Sequence, residues 1–119
     1  MKVSKKNRKI IFEKYKGRCA YCGDSLQKGW HVDEIEPIVR NQDGTCKYPE
    51  RFHIDNQVPT CPSCNINKHS MSLESFRNLI KGFMKRLNNQ STQYKIAKRY
   101  GLVNENDIQV KFYFELEKM

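Results

Sequence analysis

Four of the five cysteines stand in two matched pairs, Cys19-Ala20-Tyr21-Cys22 and Cys61-Pro62-Ser63-Cys64, separated by residues 23–60. A two-residue gap lets two thiolates reach one ion from a tight turn, and two such knuckles complete the tetrahedral sulfur shell that zinc prefers, with Zn–S bonds of about 2.3 Å. Gly23, directly after the first knuckle, eases that turn. A redox pair and buried unligated thiols are the competing readings, but neither accounts for two matched knuckles. Four thiolates leave no open coordination position, so a zinc held here is structural. Cys46 is left over and reads as an incidental loop thiol.

A second group of residues carries hard oxygen and nitrogen donors. Trp30-His31-Val32-Asp33-Glu34-Ile35-Glu36-Pro37-Ile38 lies between the knuckles, and Asp55-Asn56-Gln57-Val58-Pro59-Thr60 leads into Cys61-Pro62-Ser63-Cys64-Asn65-Ile66-Asn67-Lys68. Taken singly, each polar residue has a plain reading. Asp33 and Glu34 can be surface charges of a hairpin, Asn56 a turn residue and Asn65 a helix cap.

Taken in order, these residues resemble the HNH endonuclease family. The likeness covers roughly Cys19 to Lys68: an acidic residue on a hairpin followed by proline, an asparagine step, then Cys-x-x-Cys with Asn directly after it and a lysine nearby. The resemblance implies a ββα-metal fold and metal-dependent cleavage or nicking of DNA by phosphodiester hydrolysis. It places Asp33 and Asn65 as ligands of a catalytic Mg²⁺ or Mn²⁺, a hard cation suited to such donors. It also assigns Asn56 to orienting the catalytic side chain through backbone bonds, and Lys68 to a phosphate oxygen. Small free-standing proteins of this kind occur in phage genomes and in bacterial defence systems.

The sequence departs from that pattern at one position, where Glu34 follows Asp33 in place of the family's histidine. An imidazole, with an unperturbed pKa of about 6.5, is partly neutral and basic at physiological pH. A carboxylate is the weaker base, and a nearby dication tends to recruit it as a ligand. Three readings stay open: Glu34 is the base or a second ligand, His31 is the base, or the site is inactive. His31 lies two residues before Asp33 and shares its face on a regular strand. His53 and His69 are weaker substitutes.

The elements that must position these residues read as follows. Ser4 caps a helix running to Tyr15, with Gly17 beyond its end. Gly29 to Ile38 fits a small hairpin, and residues 41–56 a long polar loop with an Asp43-Gly44 turn. A short helical turn follows Cys64 through Lys68. Ser72 then caps a core-facing helix through Leu73, Phe76, Ile80, Phe83, Met84 and Leu87, and Ser91 to Tyr100 forms another, closed by Gly101. Alternation from Ile108 to Leu116 predicts one half-buried strand. Together with the resemblance, this predicts an α+β fold: one zinc-stapled ββα-metal domain over residues 1–119, its core motif at about 19–68 and a helical and strand extension at 69–119.

Composition narrows the partners. The chain has 119 residues, 22 Lys and Arg against 13 Asp and Glu, a net charge of +9 and a pI near 9.4. That balance favours a polyanion, with nucleic acid, and double-stranded DNA in particular, as the expected partner. Charge alone does not separate DNA from RNA or an anionic membrane. No apolar run approaches the roughly 20 residues that span a bilayer, and no signal-peptide segment follows Met1, so a cytoplasmic location is expected. Two other functions compete with the nuclease: a catalytically inactive zinc-stabilised nucleic-acid-binding module, and a protein-interaction domain using the C-terminal strand as a sheet edge.

Overall fold

In the computed structural model, residues 2–117 are described. The first helix, α1 (Lys5–Glu13), begins where expected, with Ser4 Oγ accepting the Asn7 amide at 3.1 Å. It buries Ile11 and packs on the strand that precedes the second knuckle. Just past its end, Lys14 Nζ donates to the Ile54 and Gln57 carbonyls and so ties α1 to the long loop.

The sheet differs from the predicted local hairpin. β1 (His31–Glu34) pairs antiparallel with β2 (Gln57–Thr60), in the register His31↔Thr60 and Glu34↔Gln57. After Glu34 the chain reaches Pro37, which has no amide proton to donate to a ladder. It instead runs through two 3₁₀ turns, Pro49–Arg51 and Ile54–Asn56, before pairing is resumed. β2 is buried along its whole length. On its far edge the Pro59 carbonyl accepts the Ala20 amide at 2.8 Å, which docks the first knuckle beside the second.

Helix α2 (Pro62–Lys68) starts at the second knuckle, with Cys61 as N-cap and Pro62 in the first turn, where a missing amide costs nothing. It packs on β1, so β1, β2 and α2 form one ββα unit. Beyond it, the helix expected from Ser72 breaks in two at Gly82, giving α3 (Leu73–Lys81) and α4 (Phe83–Gln90). Gly82 weakens the helix interior, and a side chain there would meet Arg86 Nη1 at 2.8 Å. α5 (Thr92–Arg99) follows, capped by Ser91 as expected.

The predicted C-terminal strand is absent among the described residues; the chain there is irregular and ends in a short helix, α6 (Tyr113–Glu117). Among the described residues no strand lies beside it to receive a ladder. The backbone amides of Tyr113 and Phe114 bond instead to the Tyr21 and Ala20 carbonyls of the first knuckle, at 3.0 and 2.9 Å. Glu115 promotes the helical turn by accepting the Phe112 amide at 2.7 Å, and Arg77 of α3 holds the same carboxylate through two further bonds. The alternation therefore predicts burial of Phe112 and Phe114 correctly but not of Ile108 and Leu116, which are exposed. Phe76, Phe112 and Phe114 stack in sequence and meet the edge of Tyr21. Such ring pairs contribute about 0.5–1.5 kcal/mol each beyond their area, and they clamp the extension onto the ββα unit through Tyr21.

Candidate functional site

The two knuckles converge. The Sγ atoms of Cys19, Cys22, Cys61 and Cys64 all lie within 4.8 Å of one another. Cys22 Sγ and Cys61 Sγ are 3.8 Å apart, far beyond a disulfide bond of about 2.05 Å and close to the edge, about 3.8 Å, of a tetrahedron with bonds of about 2.3 Å. Turn geometry builds each half: Gly23, at φ 81°, donates to the Cys19 carbonyl, and the Cys64 amide donates to Cys61 Sγ at 3.4 Å. The thiols restrain one another's ionisation. A hydrogen bond from Cys64 holds Cys19 down at about 4, the same pairing pushes Cys64 up, and burial raises Cys22 to about 11. A dication would balance all four thiolates at once, and the cluster can hold a metal ion. Cys46 lies outside it.

Directly beyond Cys64, α2 crosses β1 and makes two rungs. His31 and Asp33 are two apart on the strand, Asn65 and Lys68 three apart on the helix, and these spacings put each pair on one face. In the first rung Asn65 Nδ2 lies 2.8 Å from His31 Nδ1. In the second, Lys68 Nζ reaches Asp33 Oδ2 at 3.0 Å and donates to the Glu34 carbonyl at 3.1 Å. Tyr21 Oη donates to the same Asp33 oxygen at 2.6 Å. Burial raises the Asp33 carboxyl above its ordinary value, opposed by Lys68 and Tyr21. Asp33 in turn adds to the burial that drives the Tyr21 phenol upward.

Lys68 corrects an expectation. Its side chain is fully buried, and its ammonium is committed to Asp33 and the Glu34 carbonyl, so it is not presented to a phosphate. Like every long side chain at the end of a short helix, it can reach back toward the element beneath, and here that element carries an acid. Asn56 matches the backbone-bonding part of its expected role. It donates to the Glu36 and Arg51 carbonyls at 2.9 and 2.8 Å and accepts the Glu36 amide at 3.0 Å, pinning the chain two residues beyond Glu34.

Asp33, Glu34 and Asn65 line one open cleft of about 430 Å³, with Arg40 and His69 at its rim. His31 is not part of that lining. His53 lies elsewhere, beside Glu36, Asp55 and Asn56. Burial and then the charge of Asp33 raise the Glu34 carboxyl above the usual range, while Arg40 acts in the opposite direction. Gln57 stands opposite Glu34 in the sheet, and its buried Nε2 makes no hydrogen bond among the described residues. The cleft therefore gathers three hard oxygen donors, one of which is a carboxyl made more basic by its surroundings.

Sequence reasoning missed Tyr21 and Arg40. Tyr21 sits inside a knuckle, where it reads as a spacer, and Arg40 lies in a loop that has no periodicity to read. Among the described residues no helix is long and apolar enough to cross a membrane. No family model, curated protein or solved structure matches the chain.

Proposed function

We propose that this protein is a metal-dependent endonuclease of the HNH type that cuts or nicks DNA, with its four cysteines holding a structural zinc. One observation carries the reading: α2 and β1 bring Asn65 and Asp33 to one cleft, beside Glu34. A purely structural staple has no need of that meeting. The basic chain, at +9, suits a phosphate-rich substrate. The zinc cross-link fixes the start of α2 and hence the direction in which Asn65 points.

The oxygen donors of the cleft fit Mg²⁺ or Mn²⁺. Asp33 would offer Oδ1, since Oδ2 is taken by Lys68 and Tyr21. Asn65 would offer its carbonyl oxygen, since its NH₂ group is held by His31. A bound dication supplies Lewis-acid stabilisation of the phosphate charge. Glu34 takes a proton from the attacking water, whose oxygen bonds to phosphorus. The P–O bond to the leaving sugar then breaks, and the departing oxygen takes a proton from solvent. His31 orients Asn65 and is a positioning residue in this scheme.

A second reading rests on the Asp33–Lys68 pair. This pair satisfies Asp33 without a metal ion, as a non-catalytic nucleic-acid-binding module would require. Incubating supercoiled plasmid with the protein and Mg²⁺ or Mn²⁺ separates the two. The nuclease reading predicts nicked or linear product that EDTA prevents and that Asp33→Asn lacks. DNA retention without any cleavage under both metals leaves the binding module as the better account.

A further inference from the structure

We propose that Arg40 is the phosphate clamp of the cleft, gripping the phosphodiester that the site attacks; this rests on the nuclease reading above. With Lys68 buried against Asp33, a side-chain cation that faces phosphate in the cleft has to be a different residue. Arg40 is exposed, lines the cleft with Asp33, Glu34 and Asn65, and acts electrostatically on Glu34. Its guanidinium makes no hydrogen bond or ion pair at bonding distance among the described residues, unlike Arg8, Arg51 and Arg77, whose side-chain donors are committed to protein acceptors.

The backbone that carries Arg40 is held in a costly conformation. Val39, immediately before it, lies at φ 55°, which a β-branched residue rarely adopts because of steric strain. The surrounding chain enforces it. The Val39 and Ile38 carbonyls accept the Lys47 and Tyr48 amides at 2.8 and 3.0 Å, Arg40 bridges to Cys46, and the Asn41–Thr45 turn closes the arm. Ile38 is buried at its base, and Arg51 stacks on Tyr48 at 3.7 Å while donating to the Pro37 carbonyl at 3.0 Å. The long loop therefore presents a planar, permanently charged fork at the mouth of an acidic cleft. Such a fork matches two phosphate oxygens at once. It is placed to offset the repulsion between the phosphate and the Asp33 and Glu34 carboxylates, and to meet the charge that develops as the P–O bond breaks.

Arg40→Ala and Arg40→Lys test the clamp through single-turnover cleavage of a labelled duplex across pH, with duplex affinity in EDTA and thermal unfolding measured alongside. The expected result for Arg40→Ala is a rate loss on the order of 100-fold or more at every pH. Affinity should change little, because one phosphate contact among many is lost. Arg40→Lys should fall between the two, and millimolar guanidinium should partly rescue Arg40→Ala but not Asp33→Asn. An unchanged rate in Arg40→Ala overturns the clamp. So does a loss that vanishes at high pH, which would mean that Arg40 only keeps Glu34 ionised. Wild-type protein inert with Mg²⁺ and Mn²⁺ removes the nuclease reading and the clamp with it, whereas active wild type with a silent Arg40→Ala removes the clamp alone.

Discussion

The cysteine cluster and the acidic cleft share one helix, yet they are opposite kinds of site. The cluster uses four identical ligands on two knuckles, enough to fill a tetrahedral shell. The cleft mixes carboxylates, an amide and a guanidinium from β1, α2 and the long loop, and stays open. A closed set of like ligands can only cross-link, whereas an open set of unlike groups with displaced proton affinities can do chemistry. The contrast predicts that damage to the first removes the fold and damage to the second removes function, with Lys68 between them because it is buried in the wall of the cleft.

The largest effect is expected from Cys64→Ser. Losing one of four thiolates removes most of the metal affinity, and so small a core depends on that cross-link. Loss of cooperative unfolding and of bound zinc should follow, measured by thermal denaturation and metal analysis, and strong chelation of the wild type should have the same result. Cys46→Ser, outside the cluster, is the control and should melt like the wild type. Equal damage from both would mean that the ligand set has been misassigned.

Lys68→Ala comes next. Removing one partner of a buried ion pair strands the other, at a cost of about 3–5 kcal/mol. Asp33 stays buried with Tyr21 and the Glu34 backbone for support but no opposite charge at bonding distance. Urea titration should therefore show a large loss of stability, while any change in DNA affinity should be secondary to it. A variant of native stability with weakened DNA binding would restore the phosphate role and break the contrast between wall and cleft.

How much of this was legible in the sequence follows the same division. The cluster could be read because its ligands are of one type and come in close pairs, so that local turn geometry nearly determines the outcome. Ser4, Ser72 and Ser91 caps were readable for the same reason: each acts within three residues. The partners of Lys68 could not be read, because a lysine after a Cys-x-x-Cys gives no sign of whether it points outward or down onto a strand. Nor could the tail. Alternating Phe112 and Phe114 fit a strand until it is known that no neighbour is there to pair and that the knuckle carbonyls are. The hairpin lay between these cases: β1 was recognisable from its residues, but its partner stands beyond a loop whose closure rests on Asn56 and Lys14.

The smallest stability effect, and the sharpest test of the contrast, is expected from Glu34→Gln. Burial and Asp33 raise the Glu34 carboxyl above its ordinary value of 4.5, so the folded protein binds this proton more tightly than the unfolded chain does. Stability is lost as pH rises from about 4.5 through the folded value, because ionising the carboxyl is harder in the fold. At neutral pH, then, Glu34 costs the fold something, and the isosteric amide relieves it. Without added Mg²⁺, Glu34→Gln should match or slightly exceed the wild type at pH 7, within about 0.5 kcal/mol. Its advantage should shrink toward pH 4.5. Comparing the two proteins at each pH cancels the titration of the cysteines, which is common to both. Cleavage should nonetheless fall by roughly 10²–10⁴-fold, the usual contribution of a positioned base. A Gln variant that unfolds more easily at pH 7 would show that Glu34 holds the strand through Gln57 and belongs to the scaffold, and the division between a closed structural site and an open chemical one would then fail at its central residue.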